Sequence, residues 1–147
     1  MKSIKYVSMF LLLAFVLPIL ACSTDPEPLV LSNIPIYPGA KENTNKDLKE
    51  ISDFAIKQAK ADKTFTNVEG AGYVAGKATK WEDIEKFYDA ELAKADWKTD
   101  PGIKFNDPAV KLKGWIRGKQ FLFVGFAADP ALPDTVLFVI IGTITNP

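Results

Sequence analysis

Histidine is absent from this chain of 147 residues, and cysteine and arginine occur once each, as Cys22 and Arg117. Without histidine, the chain lacks the commonest general base at neutral pH and the commonest metal ligand. Serine–histidine and cysteine–histidine mechanisms are excluded for the same reason. A single cysteine can form neither an intramolecular disulfide nor a cysteine-rich zinc site. We therefore expect no metal and no cofactor, and predict that the protein is not an enzyme.

An excess of charge of either sign is also missing, since 18 basic side chains are matched by 18 acidic ones. Nucleic-acid-binding domains usually show a clear basic excess, and arginine is the preferred residue for two-pronged contacts with phosphate. With one arginine and no net positive charge, the chain is not expected to bind nucleic acid.

No apolar run is long enough for a spanning helix. The run from Met9 to Ala21 has 13 residues, whereas a spanning helix needs about 20. Lys2 and Lys5 precede this run, and a basic segment followed by a short apolar one is typical of a secretory signal peptide. The alternative is a short uncleaved anchor in which Cys22 is buried.

The apolar run ends in Ile19-Leu20-Ala21-Cys22, which resembles the lipobox of bacterial lipoproteins. The resemblance implies that the Cys22 sulfur receives diacylglycerol, that the chain is cut before Cys22, and that the new amino group is usually acylated. More than one acyl chain gives stable contact with a lipid bilayer. We therefore expect the protein at the extracytoplasmic face of the bacterial cell membrane, and whether that membrane is inner or outer stays open.

This interpretation divides the chain into three parts. Residues 1–21 are the predicted signal peptide, residues 22–33 a lipidated N-terminus and tether, and residues 34–147 one domain. Near the start of this domain, the aromatic residue Tyr37 precedes Pro38-Gly39. Its ring either contacts a ligand or acts as a staple, which means that it packs the N-terminal segment onto the core. The staple is the commoner use of such an aromatic.

Short motifs in the domain resemble a broad group of poorly characterised bacterial lipoproteins. The matching pieces are Tyr37 to Ala40, Phe87-Tyr88, Leu92 and Asp96-Trp97. The group usually has glycine where this chain has Asp96, at the end of a helix. The resemblance implies a small α+β lipoprotein domain and carries no catalytic residue.

Periodicity predicts two amphipathic helices and a mainly antiparallel sheet of about four strands, which is an α+β fold. The helices are expected at Asp47–Lys60, with Asp47 as N-cap, and at Thr79–Trp97, with a capping box of Thr79 and Glu82. The strands are expected at 65–78, 110–117, 120–128 and 135–145, with a tight turn at Gly118-Lys119 and a loop at 101–108.

Glycines recur on one face of the first predicted strand, at Gly70, Gly72 and Gly76. Their spacing does not fit a nucleotide-binding loop, and they lie inside a strand rather than before a helix. We expect another element to pack closely against the backbone here.

The last two predicted strands are apolar on both faces, although two helices suffice for only one face. We therefore expect a partly open apolar strip with a basic rim, suited to an acyl chain with an anionic head or to a partner's amphipathic segment. The alternative is an edge strand protected by lysines. The candidate binding residues are Lys111, Lys113, Trp115, Arg117, Leu122, Val124 and Phe126.

The expected function is a non-catalytic binding or interaction module whose partner is a protein or an amphiphilic ligand. The alternatives are a structural or assembly subunit of an envelope complex, and a carboxylate-dependent hydrolase. For the hydrolase, the candidate pairs are Glu82 with Glu85 and Asp89 with Glu91, which a solvated helix face also explains.

Overall fold

The computed structural model describes residues 25–128 and 131–145. The predicted signal peptide and Cys22 lie outside the described residues. The elements in chain order are a 3-10 turn at Leu31–Asn33, β1 (Lys41–Glu42), α1 (Lys46–Ala61), β2 (Phe65–Ala75), α2 (Trp81–Ala93), β3 (Lys98–Asn106), β4 (Val110–Arg117), β5 (Gln120–Ala127) and β6 (Thr135–Ile144).

The described residues form an α+β fold with one six-stranded sheet, in which the strands are ordered β1-β2-β6-β5-β4-β3 and all pairs are antiparallel. The predicted number of about four strands is therefore wrong. β1 has two residues, too few to show an alternating pattern. β3 contains Pro101-Gly102, which indicated a loop, but the pairing with β4 shifts register between Asp100 and Lys104 and so accommodates these residues in an edge strand.

α1 begins one residue earlier than expected because Asn45 caps it. The Asn45 side chain accepts hydrogen bonds from the backbone N–H groups of Asp47 and Leu48. The predicted close approach to the glycines of β2 is confirmed for two of them. A Cβ at Gly70 would lie 2.6 Å from Ile56 Cγ1, and a Cβ at Gly72 would overlap Ser52 Oγ. α1 therefore lies directly on the β2 backbone.

α2 buries Trp81, Ile84, Tyr88 and Leu92 along one stripe, as its periodicity predicts. The predicted capping box is wrong, because the helix begins at Trp81 and its N-cap is Lys80, which makes no side-chain capping bond. After the helix, Asp96 adopts a φ of +62°, and the Trp97 N–H donates to the Leu92 carbonyl over 3.1 Å. Asp96 thus takes the left-handed position that glycine favours at helix ends.

The two helices lie on opposite faces of the sheet. Face A carries Leu122, Val124 and Phe126 of β5 and packs against α2, whereas face B carries Phe121 and Phe123 and packs against α1. An aromatic contact joins α2 to face A, where the tilted rings of Tyr88 and Trp115 have centroids 6.2 Å apart. α1 lies mainly over β2 and β6.

The N-terminal arm, residues 25–40, completes the cover of face A. Leu29, Leu31 and Ile34 join the core beneath α2, and the Tyr37 ring meets the Phe87 ring edge-on at 5.5 Å. The predicted staple at Tyr37 is therefore confirmed. Residues 25–33, expected to be a tether, pack on the domain instead of leading away from it.

Candidate functional site

The seven residues predicted as an open binding strip lie mainly inside the core of face A. Trp115 is 1% exposed and Val124 is fully buried, and Leu122 and Phe126 are buried beside them. The prediction of an open strip on this face is therefore wrong, because α2 and the N-terminal arm cover it. The alternative of a protected edge is also wrong for β4, which lies between β3 and β5.

Lys113 is the centre of a charged cluster between β4 and α2. Its side chain is buried, yet its Nζ lies 2.9 Å from Glu85 Oε1 and 2.8 Å from both carboxylate oxygens of Asp89. Trp115 Nε1 also donates to Asp89 Oδ1 over 3.1 Å. Burial alone would lower the pKa of Lys113, but the hydrogen bonds and charges of Asp89 and Glu85 together outweigh it and raise this pKa.

This cluster contains Lys113, Glu85 and Asp89, which are three of the basic and acidic residues that the sequence offered as candidates. Glu85 and Asp89 hold the Lys113 ammonium, and Lys104 lies 3.6 Å from Glu85, so neither carboxylate belongs to a free acidic pair. Lys111 turns to the surface and donates to Asn106 Oδ1 over 2.9 Å. Among the described residues, no group of three or more acidic, histidine or cysteine side chains is placed to hold a metal ion.

Arg117 and Gln120 hold the N-terminal arm. Arg117 donates from Nη1 to the Glu27 carbonyl over 2.7 Å and from Nε to the Ala95 carbonyl over 2.9 Å. The Gln120 side chain accepts from the Leu29 N–H over 2.8 Å and donates to the Leu29 carbonyl over 2.7 Å, as the backbone of a neighbouring strand would. Arg117 is therefore a structural clamp rather than part of a basic rim.

Tyr88 is the largest buried polar side chain on face A. Its hydroxyl has no hydrogen-bond partner among the described residues, and burial raises its pKa well above the ordinary value. The phenol therefore stays neutral at physiological pH and offers no base for proton transfer.

The open apolar surface of the described protein lies on face B, beyond the edge of α1. There the side chains enclose an apolar cavity of about 280 Å³, which we call the face B groove. Its apolar lining consists of Ala55 and Ala59 of α1, Phe65 of β2, Phe105 and its neighbours Val110 and Leu112, and Phe123, Phe138 and Ile140. Phe105 is 55% exposed, and Phe54, one helical turn before the lining residue Gln58, is 63% exposed.

The groove could not be predicted from the sequence because Phe105 lies in the segment predicted as a loop. Phe54 matches the helical spacing of α1 but is exposed and does not line the groove. The signal in the sequence is the surplus of apolar residues on the sheet over what two helices can cover. This surplus predicts an open face without indicating which face it is.

A second cavity of about 440 Å³ lies on the other side of α1, along the outer edge of β2. We call it the β2 slot. Its lining includes Ile36 and Ala40 of the arm, Asn43 after β1, and Ser52 and Ile56 of α1. The backbone of Gly70, Ala71 and Gly72 also lines it.

No protein-family model, curated protein or solved structure matches this chain. No helix within residues 25–128 and 131–145 is long and apolar enough to span a membrane.

Proposed function

We propose that this protein is a lipid-anchored extracytoplasmic interaction module that binds an amphipathic helix of a partner protein in the face B groove. The observation that supports this function best is the half-covered sheet. Face A is closed by α2 and the arm, whereas α1 covers face B mainly over two of its strands.

The width of the open half fits one further helix. Neighbouring strands lie about 4.8 Å apart, and packed helices about 8–10 Å from one another, so one helix covers about two strands. With α1 over β2 and β6, the strands β5, β4 and β3 remain for a second helix beside it. Exposed aromatic side chains at such a place are typical anchors of a helix-in-groove contact.

The charges at the groove favour a basic partner. Gln58 and Asp62, near the C-terminal end of α1, supply the polar part of the lining. Hydrogen bonds from the backbone and side chain of Thr64 lower the pKa of Asp62, so its carboxylate is ionised at neutral pH. The end of the helix dipole adds partial negative charge at the same place. We therefore expect a partner helix with a lysine or arginine beside its apolar face.

The anchor in this proposal is the lipid on Cys22, which the lipobox-like residues before it support. Asp25, the first described residue, is only three positions further along the chain. Because an extended chain spans at most about 3.6 Å per residue, an acylated Cys22 would hold the domain close to the bilayer. The groove would then meet partners at the membrane surface.

The proposed experiment replaces Phe105 with photoreactive p-benzoylphenylalanine in the full-length protein, in bacterial cells that export it. Val30, which is also exposed but belongs to the arm, receives the same group as the control. We expect a light-dependent adduct from position 105 and none from position 30. The cross-linked peptide should carry apolar residues at helical spacing and at least one basic residue.

A variant carrying Val110→Asp should lose the adduct while keeping the fold, because Val110 lines the groove and is exposed. An adduct with a second copy of this chain, an adduct of lipid mass, or no adduct at position 105 would contradict the proposal. An adduct that survives Val110→Asp unchanged would also contradict it.

A further inference from the structure

Independently of the groove, we infer that the β2 slot binds an extended peptide segment of a partner, which adds to the outer edge of β2 as a short strand. The groove and the slot lie on opposite sides of α1 and share no lining residue. Each proposal therefore stands or fails without the other.

The slot begins where β1 stops. β1 pairs with β2 through Lys41 and Glu42, and the last contact is the Asn43 N–H donating to the Gly72 carbonyl over 3.1 Å. The chain then turns away, because Asn45 caps α1. Among the described residues, no strand continues along β2 past this point.

The edge that is left open carries backbone groups that suit a strand. Alternate residues of a strand direct their N–H and C=O groups to the same edge. The Gly72 carbonyl accepts from Asn43 at the outer edge of β2, so the N–H and C=O groups of Gly70 also point to this edge. A peptide residue placed opposite Gly70 can exchange two hydrogen bonds with it. Addition of a strand to an exposed edge is an established mode of peptide recognition.

The walls of the slot suit the alternating side chains of such a peptide. α1 provides Ile56 and Ser52, and Ile56 belongs to the core of face B; the arm provides Ile36 and Ala40, and Ala40 packs on the core of face A. Successive residues of an added strand point to these two walls in turn. Apolar, β-branched residues therefore fit both walls.

Asn43 closes the end of the slot, and its hydrogen bonding is incomplete. It lines the cavity and is only 5% exposed. Its Oδ1 accepts from the Asn45 N–H over 3.2 Å, whereas its Nδ2 is shielded from solvent and has no hydrogen-bond partner among the described residues. Buried amide groups are normally paired, and a rotation of this side chain towards the slot would give its amide a peptide carbonyl as partner.

Charges at the slot also limit which segments can enter. Glu42, Lys49 and Asp53 all line the slot, and Lys49 and Asp53 form an ion pair of 2.6 Å. The charges of this pair cancel, which leaves the negative charge of Glu42. The structure therefore favours a neutral or singly basic segment over an acidic one.

The experiment uses the mature lipidated chain in phosphatidylcholine nanodiscs and the capped peptide acetyl-Thr-Val-Ile-Val-Thr-amide. Binding is followed by NMR shifts and by hydrogen exchange of the Gly70 amide. We expect that exchange to slow by about tenfold or more when the peptide is bound, because the amide gains a partner. Methylation of the central peptide nitrogen should weaken binding by about tenfold or more, since one hydrogen bond is lost.

Three variants locate the peptide. Ile36→Asp puts a charge into the arm wall and should weaken binding by about tenfold or more, because a carboxylate in contact with an apolar peptide must be partly desolvated. Ile36 is largely exposed, so the fold should survive the change. Val30→Asp on the same arm and Phe105→Asp in the groove should leave the affinity unchanged.

Unchanged exchange at Gly70, equal affinity for the methylated peptide, or a loss of binding through Phe105→Asp would each overturn the slot. The last result would assign the peptide to the groove. None of these outcomes bears on cross-linking from position 105, so failure of the slot and failure of the proposed function are separate results.

Discussion

At the scale of single residues, Lys113 is much more deeply buried than the two carboxylates that hold it. The side chain of Lys113 is 8% exposed, whereas the side chains of its partners Glu85 and Asp89 are 23% and 42% exposed. The cost of removing one member of the cluster therefore depends on which member is left inside. A buried charge without its partner is expensive, while a half-exposed carboxylate can return to water.

We expect the double variant of Glu85→Gln and Asp89→Asn to lose about 3–5 kcal/mol of unfolding free energy, because it leaves the Lys113 charge buried and unpaired. Lys113→Met should cost less, since it leaves only carboxylates that water reaches. Urea unfolding of the three proteins measures both values. A double variant as stable as the parent would mean that Lys113 is not held inside the fold.

The raised pKa of Lys113 also predicts a dependence on pH. In the unfolded chain this lysine has the ordinary pKa of 10.5, and in the folded protein its pKa is higher. The contribution of the charged lysine to stability is therefore fully present below pH 10.5 and is lost as pH rises through the folded pKa. The Lys113→Met variant should lose less stability over this range in urea unfolding at successive pH values, and parallel curves would contradict the prediction.

At the scale of elements, the two helices begin in different ways. α1 has a capping side chain at Asn45, which satisfies backbone donors of its first turn, whereas α2 has Lys80 at the same position and no such bond. The sequence predicted a cap on each helix, at Asp47 for α1 and at Thr79 for α2, and both predictions are wrong because the N-caps are Asn45 and Lys80.

Asn45→Ala should therefore destabilise the protein by about 0.5–2 kcal/mol, the usual cost of losing a cap. Thr79→Ala is the matched control and should change stability by less than about 0.5 kcal/mol, because its side chain caps nothing. Thermal and urea unfolding measure both. A larger loss from Thr79→Ala than from Asn45→Ala would restore the capping box.

The elements with strong periodicity could be predicted from the sequence. The hairpin of β4 and β5 has the expected register, with Ile116 opposite Phe121 and Gly114 opposite Phe123. Periodicity identifies a buried stripe on a helix, but it does not state which face of a sheet receives that stripe. Long-range packing determines which face of the sheet each helix covers. The cluster at Lys113 and the groove beside α1 both depend on that arrangement, so neither could be predicted.

At the scale of the whole molecule, the two faces of the sheet differ in how completely they are covered. Val124→Asp would bury a carboxylate in the closed core of face A and should abolish cooperative unfolding. Phe105→Asp in the groove should leave stability within about 0.5 kcal/mol of the parent. Circular dichroism during urea titration compares them, and a folded Val124→Asp protein would show that face A opens.

In the proposed function, acylation of Cys22 determines the position of the molecule in the cell. We expect Cys22→Ala to prevent processing before residue 22 and to release the protein from the membrane, because it removes the proposed attachment point of the acyl chains. Mass spectrometry of the mature N-terminus and fractionation of cells check this. A free thiol at Cys22, or cleavage at another position, would contradict it.

The attachment of the N-terminal arm also determines how the domain would respond to tension. A pull on residue 25 passes through Glu27 and Leu29 to Arg117 of β4 and Gln120 of β5, which are interior strands, and through Arg117 to the chain just after α2. The pulling force therefore acts on interior strands of the sheet and does not first separate the two-residue strand β1 from the sheet edge. Because unfolding under force is governed by the unfolding rate, this load path should make the anchored domain slow to unravel when its attachment is stretched.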